Sequence, residues 1–358
     1  MTSASPWDPA GFRDRVQALL DEFVDVQAER LAPLGDDAAR LVSAARRALE
    51  GGKRFRAMFC DQGFRAVRAP VQDEARSLAR AASALEVLHA SALVHDDYMD
   101  ASDTRRGKPS THRAFARDHR GDAWRGDPEQ YGAAAAILLG DLLLSWSDEL
   151  LRTCGLPADD VALALQVFDT TRSEVIVGQF LDVSVQARGD SDVGQSMRVL
   201  RYKSAKYSIE RPLHVGATLA GATPDVLAAL TAYGLPLGEA FQLRDDLLGV
   251  FGDPEVTGKP AGDDLSEGKR TVLVALALEG STPADAKALD GSLGHPLTGH
   301  EVAELQRIIE RSGAHAEVER RIEELTRESL ASIDAAPVTA EARQVLRDLA
   351  AAATQRVV

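Results

Sequence analysis

The chain has 358 residues, 45% of them hydrophobic and 5% aromatic, with a formal net charge of -14. That is ample for a large core, and the acidic balance excludes a broad nucleic-acid or anionic-membrane surface. Alanine and leucine abound while β-branched alternation is scarce, which predicts an all-α protein.

Residues 1–8 read as a loose terminus without a basic segment leading into an apolar run, so no signal peptide is expected. Phe12, Val16, Leu19, Leu20 and Phe23 then recur at helical spacing. Residues 40–49 predict a short helix ended by Gly51-Gly52, and residues 55–69 and 74–98 predict longer ones. A loop is expected over residues 101–111, and a polar, glycine-rich, mobile stretch over 118–131. Helices follow at 131–151, at 159–188 with a bend near Gly178, at 197–222 and at 224–251. Residues 252–268, rich in glycine and proline, predict a structured loop, and helices resume from 270 with breaks near 294–296 and 336–337. No composition shift marks a linker, so one domain is expected over residues 9–358. No stretch approaches the ~20 uncharged apolar residues of a membrane span. Cys60 and Cys154 lie among apolar residues and read as buried free thiols of a cytoplasmic protein.

Two acidic clusters interrupt the apolar helices. Asp96 and Asp100 share one helix face, roughly 6 Å apart along the axis, with Asp97 beside them. Alone, this pattern equally fits an acidic helix end. Asp245 and Asp246 stand in a second, otherwise apolar helix. Carboxylates are costly to bury alone, so acids on two facing helices imply cations between them. Mg²⁺ suits such a site, because it takes one or two carboxylates together with substrate phosphates. Arg105, Arg106, Lys203, Lys259 and Lys269 recur near these segments, and a further basic group, Lys53, Arg54 and Arg56, follows Gly51-Gly52. Such side chains are the usual phosphate ligands. The residues therefore predict two diphosphate-sized anion sites above an apolar interior. One is bridged by Mg²⁺, and the other is held by cations alone.

These elements occur in a specific order: Gly51-Gly52-Lys53-Arg54-x-Arg56; Glu86-x-x-His89; His95-Asp96-Asp97-x-x-Asp100 with Arg105-Arg106-Gly107; Gly140-Asp141; Gly178-Gln179-x-x-Asp182; Lys203-Ser204; Phe241-Gln242-x-x-Asp245-Asp246; and Gly258-Lys259 through Asp264 to Lys269. In that order the chain resembles the trans-isoprenyl diphosphate synthases, the polyprenyl synthetase family, over about residues 40 to 280, and is most like bacterial geranylgeranyl diphosphate synthases. The resemblance implies an all-α isoprenoid-synthase-type bundle with a central apolar cavity, working as a homodimer with three Mg²⁺ per active site. It implies that Lys53, Arg56, His89 and Arg106 bind isopentenyl diphosphate. It assigns Asp96, Asp100 and Asp245 to metal, with Asp97 and Asp246 in support. Arg105, Lys203, Gln242 and Lys259 would hold the allylic diphosphate, with Ser204 where the family usually has threonine. Gln179 and Asp182 would line the cavity and position a lysine or a metal-bound water. The reaction would condense isopentenyl diphosphate with dimethylallyl, geranyl or farnesyl diphosphate.

One departure stands out. Gly249 occupies the last position of the second motif, where the family usually has aspartate. Asp245 is still expected to bind metal, Asp253 is not expected to substitute, and Gly249→Asp is expected to change turnover only modestly. Chain length is read from Ser91 and Ala92, five and four residues before Asp96, with Leu88 and Val87 a turn deeper. None is a large aromatic, so geranylgeranyl diphosphate or a somewhat longer product is expected. Three other readings remain open: a class I terpene cyclase, which would not use isopentenyl diphosphate; a regulatory subunit of a heteromeric synthase; and a di-iron bundle, of which Glu86-x-x-His89 is half a signature.

Overall fold

The computed structural model describes residues 7–71, 73–253 and 261–354. The chain runs through α1 (Pro9–Leu31), α2 (Asp36–Leu49), α3 (Phe55–Val67) and α4 (Glu74–Met99). A two-residue hairpin, Thr104–Arg105 with Lys108–Pro109, turns through Arg106 and Gly107, both at positive φ. Then come α5 (Thr111–Gly121), α6 (Pro128–Arg152), α7 (Ala158–Arg188) and α8 (Val193–Val199). A π-helical segment, Leu200–Glu210, leads without a break into α9 (Arg211–Leu219), which is followed by α10 (Pro224–Phe251). Beyond it lie α11 (Asp263–Ser266), α12 (Val272–Gly280), α13 (Pro283–Ser292), α14 (Gly299–Arg311), α15 (Ala314–Ala335) and α16 (Ala340–Thr354).

Local chemistry sets several of these ends. Asp8 accepts from the backbone of Ala10 and Gly11 to start α1, and Asp127 caps α6 just before Pro128. Thr298 and Glu301 form a reciprocal capping box on α14. The apolar faces then close two cores. The larger gathers Phe12, Phe59, Phe64, Leu85, Leu139 and Tyr233 from α1, α3, α4, α6 and α10. The smaller gathers Leu243, Leu247, Leu273, Ile309 and Val318 from α10, α12, α14 and α15. Helix α10 belongs to both, packed against the π segment and α15, while α4 lies along α6 and α7 along the π segment. These contacts bring the C-terminal ends of α4 and α10 to the same end of the bundle.

The all-α expectation holds, with local corrections. Residues 118–121 and 128–131 are helical rather than mobile, because His112, Phe115, Ala116 and His119 form a buried stripe on α5. Helix α7 is unbroken at Gly178. The C-terminal region has further breaks at Ser281 and at Ser312-Gly313, and α2 begins at Asp36. By length and composition α10 could cross a membrane, but it carries Asp245 and Asp246 and packs as a core helix. Cys60 and Cys154 are free and buried, as expected.

His214 on α9 is buried, with Thr231 Oγ1 3.0 Å from its Nε2. Burial, reinforced by the Arg211 guanidinium, pushes its pKa down to about 4. The unfolded chain takes up this proton near pH 6.5. Below that pH the unfolded state therefore binds more protons than the native one, and stability falls on acidification. The linkage is worth up to about 3 kcal/mol between pH 6.5 and pH 4. His214→Gln should accordingly lose less Tm between pH 7 and pH 5 than the wild type does. Parallel Tm profiles for the two proteins would contradict this.

Candidate active site

The last turn of α4 carries Asp96, Asp97 and Asp100 into three different settings. Asp96 faces α7, where Gln179 donates to its Oδ1 at 2.9 Å. Lys203 Nζ lies 3.2 Å from Asp96 and 2.6 Å from Asp182, so one ammonium joins α4, α7 and the π segment. Gly178 makes this possible, since a Cβ there would stand 2.5 Å from the Lys203 backbone nitrogen. The π segment crosses α7 at that point, and π turns of this kind cluster at functional sites. Asp97 is buried and held by Arg105, whose Nε donates to it at 2.8 Å. Asp100 meets Lys269 at 3.4 Å, and the same ammonium lies 3.2 Å from Asp264 and 2.5 Å from Glu267.

The electrostatics follow. Burial alone would raise the Asp96 carboxyl, but the charges of Lys203, Lys269 and Arg105 outweigh it and hold the group ionised. Burial and then the Asp96 carboxylate push Asp100 the other way. Burial works against the Lys203 charge, yet Asp96 and Asp182 raise its pKa all the same. On α10, Asp246 is buried and accepts from Gln242 at 3.0 Å, and burial drives its pKa up to about 8. Asp245, on the adjoining position, is exposed.

A second basic group forms around the start of α3. Arg54 begins the helix in a left-handed conformation (φ 55°) and is buried. It pairs with Glu86 at 3.4 Å and donates to Gln17 and to the Leu49 carbonyl. Glu86 also accepts from the Ala57 backbone at 3.0 Å, which ties α4 to the first turn of α3. Arg56 donates to Tyr207 and Ser208, each at 2.8 Å, while its buried Nε has no hydrogen-bond partner among the described residues. His89 Nδ1 is 3.0 Å from the Tyr207 hydroxyl. Burial, with Arg56 and Arg106 nearby, keeps this imidazole neutral. Arg106 donates to the Glu50 carbonyl at 2.8 Å and lies over Gly52, where the backbone has φ 90° and a Cβ would come within 3.1 Å. Lys53 is exposed beside them.

The polyprenyl synthetase family description matches residues 39–311. The chain belongs to the polyprenyl synthetase family. It is 32% identical to a geranylfarnesyl diphosphate synthase of Aeropyrum pernix, covering 86% of this chain and 91% of that one. It is 33% identical to a geranylgeranyl diphosphate synthase of Saccharolobus solfataricus, covering 77% and 79%. It superposes with a TM-score of 0.95 on a geranylgeranyl pyrophosphate synthase of Corynebacterium glutamicum complexed with isoprenyl diphosphate and magnesium, at 42% identity over 98% of this chain and 100% of that one. As a polyprenyl synthetase, the protein is a chain-elongating trans-prenyltransferase of the isoprenoid-synthase helical fold. Neither the cyclase nor the regulatory-subunit reading gains support from these relatives.

Most residues expected in the polyprenyl synthetase site come together, though some face elsewhere. Asp96, Gln179, Asp182 and Lys203 share one network, and Arg56 and His89 meet through Tyr207. Arg105 is turned to Asp97 and Gln242 to Asp246, so both brace acids in this structure. Ser204 is half-buried next to Lys203. Ser91 donates to the Gly140 carbonyl on α6 at 2.7 Å and so leaves the face of Asp96; Ala92, four residues before Asp96, stays on it. Leu88 is buried two turns below. Gly258 and Lys259 lie outside the described residues. The di-iron reading falls, because Glu86 is spent on Arg54 and the start of α3. Sequence reasoning overlooked Tyr207 and Ser208, although Lys203-Ser204-Ala205-Lys206-Tyr207-Ser208 clusters polar groups in one short run.

No three His, Cys, Asp or Glu side chains already converge for a metal ion among the described residues, where lysine ammonium groups stand between the acids. The donor set nevertheless suits Mg²⁺, which needs only one or two carboxylates beside substrate oxygens. Asp100 Oδ2, on a side chain only 5% exposed, has no hydrogen-bond partner among the described residues. Removing Glu86 would strand the Arg54 guanidinium in the interior with neutral partners only. Glu86→Ala should therefore cost about 3–5 kcal/mol in urea unfolding, and a loss below about 1 kcal/mol would show the pair to be dispensable.

Proposed function

We propose that the protein condenses isopentenyl diphosphate with an allylic diphosphate and extends the chain to geranylgeranyl length or somewhat beyond. The observation that carries this reading is the pairing of two distinct charged sites at one end of an apolar bundle. One is the acid–lysine network joining α4, α7, the π segment and α11; the other is the Arg56–Tyr207–His89 group.

In this reading Asp96, Asp100 and Asp245 hold Mg²⁺, three ions in all, with Asp97 and Asp246 bracing Arg105 and Gln242. Bound Mg²⁺ would neutralise the allylic diphosphate and so favour breaking its C–O bond. Lys203, aimed by Asp182, stabilises the departing diphosphate, with Arg105, Ser204, Gln242 and Lys259 around it. Lys53, Arg56, His89 and Arg106 hold the diphosphate of isopentenyl diphosphate. Its alkene attacks C1 of the allyl group, a C–C bond forms, and the proton lost passes to the released diphosphate. His89, neutral through burial, serves as a hydrogen-bond partner and not as an acid. The apolar interior keeps water from the cationic carbon. The growing tail runs down the α4 face marked by Ala92, toward Leu88.

A homodimer is part of the same proposal. Ile176, Val177 and Phe180 on α7 and Leu138 on α6 present an apolar surface, with Phe180 69% exposed. Patches of this kind mark interaction sites. Free buried thiols suit a reducing, cytoplasmic setting.

Incubation with Mg²⁺, labelled isopentenyl diphosphate and each allylic starter should yield products of geranylgeranyl length or longer after dephosphorylation and chromatography. No elongation with any starter would refute the reading. In the same assay Asp96→Asn should lower kcat on the order of 10²–10³-fold, and Ala92→Phe should shorten the product. Sedimentation velocity should return twice the 38.3 kDa chain mass. A monomer at micromolar concentration would remove the dimer from the proposal.

A further inference from the structure

Lys53 is carried by the turn over residues 50–54, and Arg106 lies over it. Within that turn Gly51, Gly52 and Arg54 all have positive φ, at 65°, 90° and 55°. Two adjacent glycines let the backbone take this path, but they also leave it free to take others. Packing does not restrain the turn from behind, where a cleft of about 670 Å³ opens, bordered by Arg13, Asp21, Arg46 and Glu50. The turn therefore needs directed bonds to stay in one conformation.

The Glu50–Gly51 peptide receives such bonds at both of its edges. Arg106 donates to its carbonyl at 2.8 Å, and its N–H, that of Gly51, donates to Gln17 Oε1 at 3.3 Å. The carbonyl and N–H of a trans peptide point in opposite directions, so the two partners grip the plane from opposite sides. A flip of that plane would break both bonds at once. Gln17 stands on α1, ahead of every motif residue. The same Oε1 accepts from Arg54 at 2.6 Å, so one oxygen ties the start of the turn to its end. The Gln17 amide nitrogen donates to Asp21 Oδ1 at 3.1 Å, one turn further along α1. A carboxylate only accepts, so Asp21 keeps the nitrogen on its own side and the oxygen toward the turn.

We infer that Gln17 is a positioning residue for the isopentenyl diphosphate site: its side-chain oxygen locks the Glu50–Gly51 peptide and so holds Arg106 and Lys53 in register for the anion. The inference rests on the proposal that these cations bind isopentenyl diphosphate. Gln17 acts through the peptide and not by touching the substrate. Its loss frees the peptide to flip, which turns the Glu50 carbonyl away from Arg106 and releases the guanidinium from its place over Gly52. Asp96, Asp182 and Lys203 belong to other elements and keep their geometry. Binding of one diphosphate is weakened while binding of the other is not.

The test separates the two substrates. Initial rates are measured with isopentenyl diphosphate and farnesyl diphosphate varied in turn, for wild type, Gln17→Met, and Gln17→Glu combined with Asp21→Asn. Methionine keeps the length and helical preference of glutamine but puts a weak acceptor in place of the amide oxygen. Gln17→Met should raise KM for isopentenyl diphosphate about 10-fold, with kcat, KM for farnesyl diphosphate and Tm close to wild type. The paired variant exchanges amide and carboxylate, keeps the net charge and allows every bond to form again, so its KM should return close to the wild-type value. An unchanged KM for isopentenyl diphosphate in Gln17→Met overturns the inference, and so do equal rises for both substrates, which mark a merely structural role. A raised KM in the paired variant overturns it too, and that arm stands even if methionine at 17 prevents folding. These outcomes leave the reading of the site intact, whereas absence of elongation by wild type refutes that reading and the inference with it.

Discussion

Buried carboxylates on neighbouring helices repel one another and lose their hydration, so they persist in a folded protein only with positive charge between them. Here two ammonium groups meet that need. Lys203 lies between Asp96 and Asp182, and Lys269 lies among Asp100, Asp264 and Glu267. The ends of α4, α7, α10 and α11 are arranged around these two lysines. In the proposed reading, the same unbalanced negative charge that requires lysine in the protein alone would give a divalent cation its place beside a diphosphate.

That arrangement depends on a backbone approach that a side chain would forbid. The π segment touches α7 at Gly178. In the second basic group the first turn of α3 starts from a left-handed Arg54, held by Glu86 from α4. Non-glycine residues at positive φ carry strain that the surroundings must over-determine, and here a buried ion pair and a backbone hydrogen bond do so. Both charged groups therefore hang on α4, which supplies Glu86 and His89 to one and Asp96 and Asp100 to the other. A shift of α4 would move both together.

Burial also separates the roles of chemically alike residues. Asp96 stays ionised against three cations, whereas Asp246, equally acidic in isolation, is pushed to about 8 in an apolar setting with Gln242 as partner. His89 is kept neutral between arginines and Tyr207. These differences decide which groups can meet a cation directly and which can only hold a neighbour in position.

Hydrophobic periodicity along the chain was enough to specify an all-α protein and most helices, because 3.6-residue spacing is a local property. The ordered acidic and basic motifs likewise specified the family, since the chemistry of diphosphates demands those residue types. Partners distant in sequence were another matter. That Arg105 turns to Asp97, Ser91 to α6 and Glu86 to Arg54 depends on how helices cross, which no local pattern encodes. Gly178 read as a bend because glycine is locally ambiguous, and only the packed helices show it as a crossing point. The sequence by itself determined that two glycines precede the cations of the second basic group; the tertiary structure alone decided that Gln17 and Arg106 take the two edges of the Glu50–Gly51 peptide, because groups so far apart along the chain meet only once it is folded.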